Sequence, residues 1–172
     1  PVIYVSHSPD EVARLADHLI LLDNGKVVAS GAAADLLTRL DLSVAHGDAA
    51  SALVTATIVE RDDVFHLMRA EFSGGSLQLP QQNACIGQTV RIRVQARDVS
   101  LTLAPQQGSS VLNSVPAIVT DVVDEATGQA MIGLDANGTR LLSRITRKSV
   151  ATMQLQTGSR VYAQIKGVAI LK

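Results

Sequence analysis

The segment Val90-Arg91-Ile92-Arg93-Val94-Gln95-Ala96 alternates apolar and polar residues without a break. Because successive side chains of a strand point to opposite faces, the alternation predicts a β-strand with one face in a core. Val99–Leu103 and Val161–Ile165 have a similar texture. Turn-forming residues recur between such stretches from about Ala52 onward, at Gly74-Gly75, Gly87, Gly128, Asn137-Gly138 and Gly158. Many short strands at this spacing predict a small β-barrel or a sandwich.

A weak internal repeat runs through this β region. The spacing of Gly87, Val90, Val94 and Val99 recurs in Gly158, Val161, Ile165 and Ile170. Upstream, Val54–Glu60 resembles Ile118–Asp124, in the same order along the chain. The repeat predicts two related β modules, at about residues 52–104 and 113–172, joined by Pro105–Ser110. The alternative is that any two aliphatic β segments would look this similar.

The first forty residues have an α/β texture instead. Val2–Val5 is a short apolar run, which is typical of a buried parallel strand. Ser8, Pro9 and Glu11 form a helix-start signal, with Ser8 as the cap and Glu11 completing a capping box. The expected helix carries one apolar stripe, made of Val12, Leu15, Ala16 and Leu19.

A hairpin and a second helix are expected next. Asn24-Gly25 tolerates positive φ at little cost, so it predicts a tight turn between Leu19–Leu22 and Lys26–Ala29. Gly31 is expected to end the second strand, and Ala33–Leu40 to form a short helix.

Composition limits both the core and the partners. The 172 residues include 15 Lys+Arg and 16 Asp+Glu, a net charge of −1, and 47% are hydrophobic, which is typical of a folded protein. With two Tyr, two Phe and no Trp, the core must be aliphatic. A single-strand nucleic-acid binder needs aromatic platforms and a duplex binder needs a basic surplus, and this chain has neither.

Cysteine usage and hydropathy add context. The single cysteine, Cys85, cannot form an internal disulfide, which fits a reducing compartment, and nothing near it in sequence suggests a reactive thiol. No apolar run is long enough to span a membrane unaided. The start at Pro1-Val2-Ile3, without a signal-sequence pattern, is interpreted as the middle of a longer polypeptide.

The N-terminal segments together resemble the end of the nucleotide-binding domain of ABC transporters. The resemblance is carried by Ile3–His7, Asp10-Glu11, Leu15–Asp17, Leu22–Val27 and Gly31. It implies that His7 is the switch histidine, which contacts the γ-phosphate of ATP and orients the attacking water. The phosphate-loop motif, the family's signature motif and the acidic strand end that holds Mg²⁺ are absent from the sequence. ATP, Mg²⁺ and hydrolysis are therefore expected only in a longer parent chain.

The C-terminal half resembles the Mop/TOBE (molbindin-type) domains. The resemblance is carried by Ser109–Asn113, Arg144–Ser149 and Leu155–Lys166. It implies an OB-like β-barrel that binds molybdate or tungstate. Next to an ABC-type tail, it further implies the C-terminal part of the ATP-binding subunit of a molybdate importer.

The same resemblance implies the site residues, which are Ser110, Asn113, Thr146, Ser149 and Lys166. In the family these groups come from neighbouring subunits, so the site is expected to form only in an oligomer. The residue types suit a tetrahedral dianion, because its oxygens accept hydrogen bonds and donate none. Hydroxyls, N–H groups and one ammonium can each contribute about 1.5–3 kcal/mol to binding a charged group.

One position departs from the family pattern. The family usually carries an arginine between the Ser and Asn of the first motif, and this chain has Leu112 there. The change removes a guanidinium fork that suits oxyanions. Arg144, Arg147 and Lys148 are candidates to compensate for the lost charge.

Other polar features favour structural interpretations. His18, His46 and His66 lack metal-ligand spacing, so no metal site is predicted. Asp62-Asp63 and Asp124-Glu125 are interpreted as turns at strand ends. Arg91 and Arg93 are interpreted as the solvated face of their strand.

The expected fold class is therefore mainly β, with OB-like modules, duplicated, preceded by an α/β remnant of an ABC ATPase domain at residues 1–45. The expected function is a regulatory, oxyanion-binding and dimerising region on the cytoplasmic face of the cell membrane. Its expected partners are further copies of the chain and a membrane permease, and no nucleic acid. The alternative is a purely structural dimerisation region with no small ligand.

Overall fold

The computed structural model describes residues 2–126 and 128–171, and most of its elements are strands. The N-terminal elements are α1 (Pro9–Leu15), β1 (His18–Asp23), β2 (Lys26–Ala32) and α2 (Ala33–Leu36). A first set of strands follows, namely β3 (Ser51–Asp62), β4 (Leu67–Phe72), β5 (Gly75–Pro80), β6 (Thr89–Gln95) and β7 (Val99–Thr102). The second set is β8 (Asn113–Asp124), β9 (Gln129–Ala136), β10 (Thr139–Thr146), β11 (Arg160–Ile165) and β12 (Ala169–Leu171). The helix α3 (Arg147–Met153) lies between β10 and β11. The prediction of a mainly β fold is confirmed.

The two five-stranded antiparallel sheets have the same plan, with their last strands exchanged. One sheet has the order β5-β4-β3-β6-β12 and the other has β10-β9-β8-β11-β7. Strand β7 therefore completes the second sheet, and β12, the last strand of the chain, completes the first. This exchange was not predicted, because the sequence pattern of each module fits pairing with either sheet.

The hydrogen bonds fix how the two repeats align. Ile58 bonds through its backbone to Gly87 and Gln88, as Val119 does to Gly158 and Ser159. Positions 58 and 119 are thus equivalent, an offset of 119 − 58 = 61, whereas matching Val54–Glu60 to Ile118–Asp124 uses 118 − 54 = 64. The predicted upstream alignment is wrong by three residues. An odd shift sets a buried position against an exposed one, and Ile118 is indeed 46% exposed where Val54 is buried.

One aliphatic core joins the two sheets. Its fully buried members include Ile58, Met68, Leu77 and Ile92 from the first sheet and Ile132, Leu134 and Leu141 from the second. The tips of the equivalent hairpins also meet, since the Asn137 side chain donates to the Ser73 carbonyl at 2.7 Å. The Ser73 and Thr139 hydroxyls are 2.7 Å apart. The two sheets therefore form a continuous body.

The N-terminal elements pack as a smaller cluster against this body. Buried side chains of α1, β1, β2, α2 and the residue after α2 pack with Leu53 of β3, namely Ala13, Leu19, Ala29, Leu36 and Leu37. The predicted cap is confirmed, because the Ser8 hydroxyl accepts from the backbone N–H of Glu11 at 3.4 Å. The predicted capping box is wrong, because the Ser8 N–H donates to the Ser6 hydroxyl rather than to Glu11. The predicted hairpin is also confirmed, with Asn24 at φ 48° and Gly25 at φ 75°.

Three local predictions in this region are wrong. Residues 2–5 form no strand, and Ile3 is 96% exposed, because no described strand lies beside them for parallel pairing. The first helix ends at Leu15, which is exposed, so Ala13 is its buried residue and Leu19 belongs to β1. The second helix ends at Leu36 rather than Leu40. None of the described helices combines the length and the hydropathy needed to cross a membrane.

Candidate functional site

Two of the predicted site residues meet at the start of α3. Thr146 is the N-cap of this helix, and its hydroxyl accepts from the backbone N–H of Ser149 at 3.1 Å. The two hydroxyls are 2.9 Å apart, with Thr146 exposed and Ser149 half-buried. The first turn of α3 contains no acidic residue. The pair can therefore present two hydroxyl groups to an acceptor in solvent.

Asn113 and Lys166 lie at the other end of the second sheet. Ile165, the last residue of β11, is the register partner of Asn113, the first residue of β8. Lys166 follows directly and is exposed, and Ser110 lies in the exposed loop three residues before Asn113. The antiparallel register thus brings an amide and an ammonium to one sheet end, with a hydroxyl close to them in the chain.

The Asn113 side chain already holds part of the structure together. Its Oδ1 accepts from the backbone N–H of Gln78 at 2.6 Å, and its Nδ2 donates to the Gln78 carbonyl at 3.1 Å. Gln78 belongs to β5, so this buried amide joins the start of the second sheet to the edge of the first. An amide NH₂ has two N–H groups, which leaves one for a ligand.

The five predicted residues therefore fall into two groups, which lie at opposite ends of β8 in one chain. Asn113 begins β8, whereas Thr146 pairs with Gln129 beside the Asp124 end of the same strand. Twelve residues of strand correspond to a contour of about 36 Å. We call Ser110, Asn113 and Lys166 the lysine group, and Thr146 and Ser149 the hydroxyl group.

The charges near the hydroxyl group are mostly paired. Arg144 is bound by Glu125, with Nε to Oε2 at 2.6 Å, and by Asp48 at 2.6 Å. It is therefore unsuited to the compensating role predicted for it. Arg147 pairs with Asp124 at 3.1 Å, with both side chains largely exposed. Among the described residues, Lys148 takes part in no ion pair, so it is the cation left free in the first turn of α3.

Glu125 is the centre of a network that the sequence did not predict. It accepts from the backbone N–H of Gly47 at 3.0 Å and lies 3.3 Å from Nδ1 of His46, whose Nε2 is 2.8 Å from the Leu40 carbonyl. Burial alone would raise the pKa of Glu125, but the Gly47 N–H, Arg144 and His46 together hold it below its usual value. The interpretation of Asp124-Glu125 as a simple turn is wrong for Glu125. Arg144 is 19 residues away in sequence, but His46 and Gly47 are 79 and 78 residues away, so no local signal could have identified the network.

The predicted solvated face of β6 is also wrong. Arg93 is 8% exposed, and its Nε donates to the Ser51 hydroxyl at 3.1 Å. Arg93 also pairs with Asp10, and Arg91 pairs with Asp17. Both arginines thus contact the N-terminal elements rather than water alone. The turn interpretation of Asp62-Asp63 is confirmed, because Asp62 Oδ1 accepts from the N–H groups of Val64 and Phe65.

The first sheet lacks the predicted site residues at the equivalent positions. Val94 pairs with Ala52 as Ile165 pairs with Asn113, so Ala52 and Gln95 occupy the places of Asn113 and Lys166. Leu77 of β5 pairs with β4 as Leu141 of β10 pairs with β9, so these two leucines are equivalent. The same offset along the chain puts Gln82 and Cys85 in the places of Thr146 and Ser149. Only the second sheet carries both groups.

His7, the predicted switch histidine, is exposed and lies just before α1.

Comparisons with known proteins identify relatives of the chain. Residues 109–171 match the family model "TOBE domain". The molybdenum import ATP-binding protein ModC of Albidiferax ferrireducens is 53% identical over 99% of this chain and 46% of its own length. The corresponding protein of Pseudomonas aeruginosa is 47% identical over 99% of this chain and 48% of its own. The chain thus spans about half the length of these relatives, and the part matched is their C-terminal part.

A solved structure of the cytoplasmic molybdate-binding protein ModG, with molybdate bound, has the same fold. The TM-score is 0.59 at 20% identity, and the match covers 69% of this chain and 93% of that one. At this identity the likeness shows the fold alone.

Proposed function

The chain is related to the C-terminal part of the molybdenum import ATP-binding proteins and carries a TOBE domain at residues 109–171, and on that premise we propose that it binds molybdate or tungstate between two copies of itself. The lysine group of one copy and the hydroxyl group of the other together form the site. The placement of Asn113 and Lys166 at one end of the second sheet, through the β8–β11 register, is the observation that carries the proposal.

The chemistry of the two groups suits a dianion. Lys166 supplies an ammonium, Asn113 one free N–H, and Ser110, Thr146 and Ser149 supply hydroxyls that can all donate to oxygen. Hydrogen bonds to a charged partner contribute about 1.5–3 kcal/mol each, so four or five can offset the cost of association. Because the two groups lie at different ends of β8, neither is sufficient alone, and a second copy completes the set.

The exposed Leu112 bears on the strength of binding rather than on its location. It is 64% exposed and supplies no charge where the family usually has an arginine. Lys148, in the first turn of α3, is the cation that replaces part of that charge on the side of the hydroxyl group.

A charge at Thr146 tests the site without removing the helix cap. Aspartate caps helices as well as threonine does, so Thr146→Asp keeps α3 while placing a carboxylate against the anion. We expect isothermal titration calorimetry to show molybdate heat for the wild-type chain and a loss of at least about tenfold in affinity for the variant.

Ala34→Asp is the matched control. It adds the same charge at an exposed position in the first turn of another short helix, α2. The control should bind molybdate like the wild type. If Thr146→Asp binds as tightly as Ala34→Asp, the hydroxyl group is not part of the site.

The longer protein is also part of the proposal. Residues 1–45 form the end of an ABC ATPase domain with His7 as its switch histidine, and residues 52–104 and 113–172 form the two β modules. In the parent protein, ATP and Mg²⁺ bind upstream, and a membrane permease at the cytoplasmic face is the partner. Oxyanion bound between two copies favours one placement of the two ATPase domains, and a coupling of about 1–3 kcal/mol changes transport several-fold.

A structural dimerisation region without a ligand is the second candidate, and Leu112 is the observation that favours it. Calorimetry with molybdate, tungstate and sulfate separates the two. Heat with the first two anions and none with sulfate supports the oxyanion site. Absence of heat with all three, for a chain that light scattering shows to be dimeric, supports the structural candidate.

A further inference from the structure

Arg93 fastens the N-terminal helix to the β body. It lies in β6 with 8% exposure, its Nε donates to the Ser51 hydroxyl at 3.1 Å, and its guanidinium pairs with Asp10 in the first turn of α1. A second nitrogen is 3.4 Å from the Ala49 carbonyl. A buried guanidinium whose other hydrogen bonds are to the body holds the Asp10 carboxylate at a fixed point.

Arg91 holds the other end of the same helix. It is two residues from Arg93, so both side chains leave β6 on one face. Its guanidinium donates to the Ala16 carbonyl at 3.1 Å and pairs with Asp17. Ala16 is the C-cap residue of α1, so the two arginines hold the helix at both ends.

The strand beside these arginines leads directly to Lys166. In the β6–β12 pair, Ala169 faces Arg93 and Leu171 faces Arg91. Lys166 lies three residues before Ala169, and its backbone N–H donates to the Asp98 carbonyl at 3.0 Å. The strand exchange therefore places a segment that starts at Lys166 against the two residues that hold α1.

A shallow cleft lies next to Arg93 in the first sheet, and two carboxylates of the chain line it. It is lined by Asp10, Asp48, Ala49, Arg93, Gln95 and Arg97. Gln95 is the first-sheet equivalent of Lys166, so the cleft corresponds to the place of the lysine group. At this place the second sheet has the donor groups of the lysine group, whereas the first sheet has two carboxylates, one of which is Asp10 of α1.

We propose that Arg91 and Arg93 are positioning residues that transmit oxyanion binding at Lys166, through the β12–β6 pair, to α1 and the His7 segment before it. The proposal rests on the proposed function, because it needs an anion at Lys166. A chain of covalent and hydrogen-bonded neighbours joins the two places, and such a chain can carry coupling between them.

Hydrogen exchange in the full chain tests this route. The amides of Val12 and Ala16 donate within α1 at 3.1 and 3.0 Å and so report its stability. We expect molybdate to slow their exchange at least about threefold in the wild type. In the variant Asp10→Asn/Asp17→Asn, molybdate should bind within about twofold of the wild-type affinity but leave these amides unchanged. Both carboxylates are largely exposed, so the variant should fold.

Asp35→Asn is the control, because it removes an exposed carboxylate of α2, and it should respond like the wild type. An equal slowing of α1 exchange in the double variant and in the control would overturn the route while leaving the anion site intact. The route would also be overturned if the wild type bound molybdate in calorimetry but showed no change in the hydrogen exchange of the α1 amides. Absence of molybdate binding in the wild type would overturn the proposed function, and this inference with it.

Discussion

Glu125 is the side chain that most directly ties the N-terminal segment to the second sheet. It accepts from the Gly47 N–H and from Arg144, and its side chain is 11% exposed. Burial raises the pKa of this carboxyl, but its three partners together lower it below its usual value. The ionised form is therefore stabilised by folding, and the contribution is present above the unfolded-state pKa and lost as pH falls through the lower folded-state value.

Removal of this charge gives a pH-dependent loss of stability. We expect Glu125→Gln to lower the free energy of unfolding by about 1.5–3 kcal/mol at pH 7, because Arg144 and the Gly47 N–H lose a charged acceptor. At a second, acidic pH that lies below the lowered folded-state pKa of Glu125, the wild-type carboxyl carries its own proton, so the difference should shrink. Urea denaturation at both pH values measures it.

Glu71→Gln is the control, since Glu71 is exposed and pairs only at the surface with Arg69. Its loss should stay within about 1 kcal/mol. A Glu125→Gln loss that is the same at both pH values would show that the charge is not what stabilises the segment.

Single side chains were the level at which sequence reasoning was least successful. Alternation predicted the β6 strand correctly but assigned Arg93 to solvent, because a strand pattern says nothing about which elements cover its second face. Asp10 and Glu125 are 83 and 79 residues from the partners that define them. Those contacts depend on tertiary packing, which a single sequence does not encode in any local pattern.

At the level of elements, the contact between the two equivalent hairpins depends on a glycine. A Cβ on Gly74 would lie 2.6 Å from the Ala136 carbonyl oxygen and 2.5 Å from the Phe72 ring. Ala136 ends β9, so the first hairpin approaches the second sheet closely at this point.

We therefore expect Gly74→Ala to lower the free energy of unfolding by about 1–3 kcal/mol, since backbone atoms must shift to admit the methyl group. Gly31→Ala is the matched control, because its added Cβ meets only Leu36 at an ordinary 3.7 Å. Urea midpoints measure both. Equal midpoints for the two variants would mean that the hairpins do not pack as closely as described.

The repeat was predictable at this level, and the strand exchange was not. The spacing from Gly87 to Val94 and from Gly158 to Ile165 correctly identified β6 and β11 as equivalent strands. The upstream alignment slipped by three residues because aliphatic strands carry no unique register. The sequence patterns of β7 and β12 fit pairing with either sheet. The sequence therefore does not show whether each module keeps its own last strand or exchanges it with the other module.

At the level of the whole molecule, the two halves of the candidate site lie at different ends of one strand. The resemblance predicted the residues, and the structure places Thr146 beside Ser149 and puts Asn113 and Lys166 at one sheet end. Whether the two groups meet depends on a second copy, and no pattern within one chain encodes that contact. The proposed oxyanion site therefore requires a dimer.

Mixing two variants that do not bind molybdate tests whether two copies of the chain share the site. Lys166→Ala retains the hydroxyl group, and Thr146→Asp retains the lysine group, so neither homodimer should bind molybdate in calorimetry. After unfolding and refolding together, half of the dimers are mixed and each mixed dimer has one intact site, so about one quarter of the wild-type sites should return. If the mixture binds no more than either variant alone, although light scattering shows dimers, the oxyanion is not held between two copies.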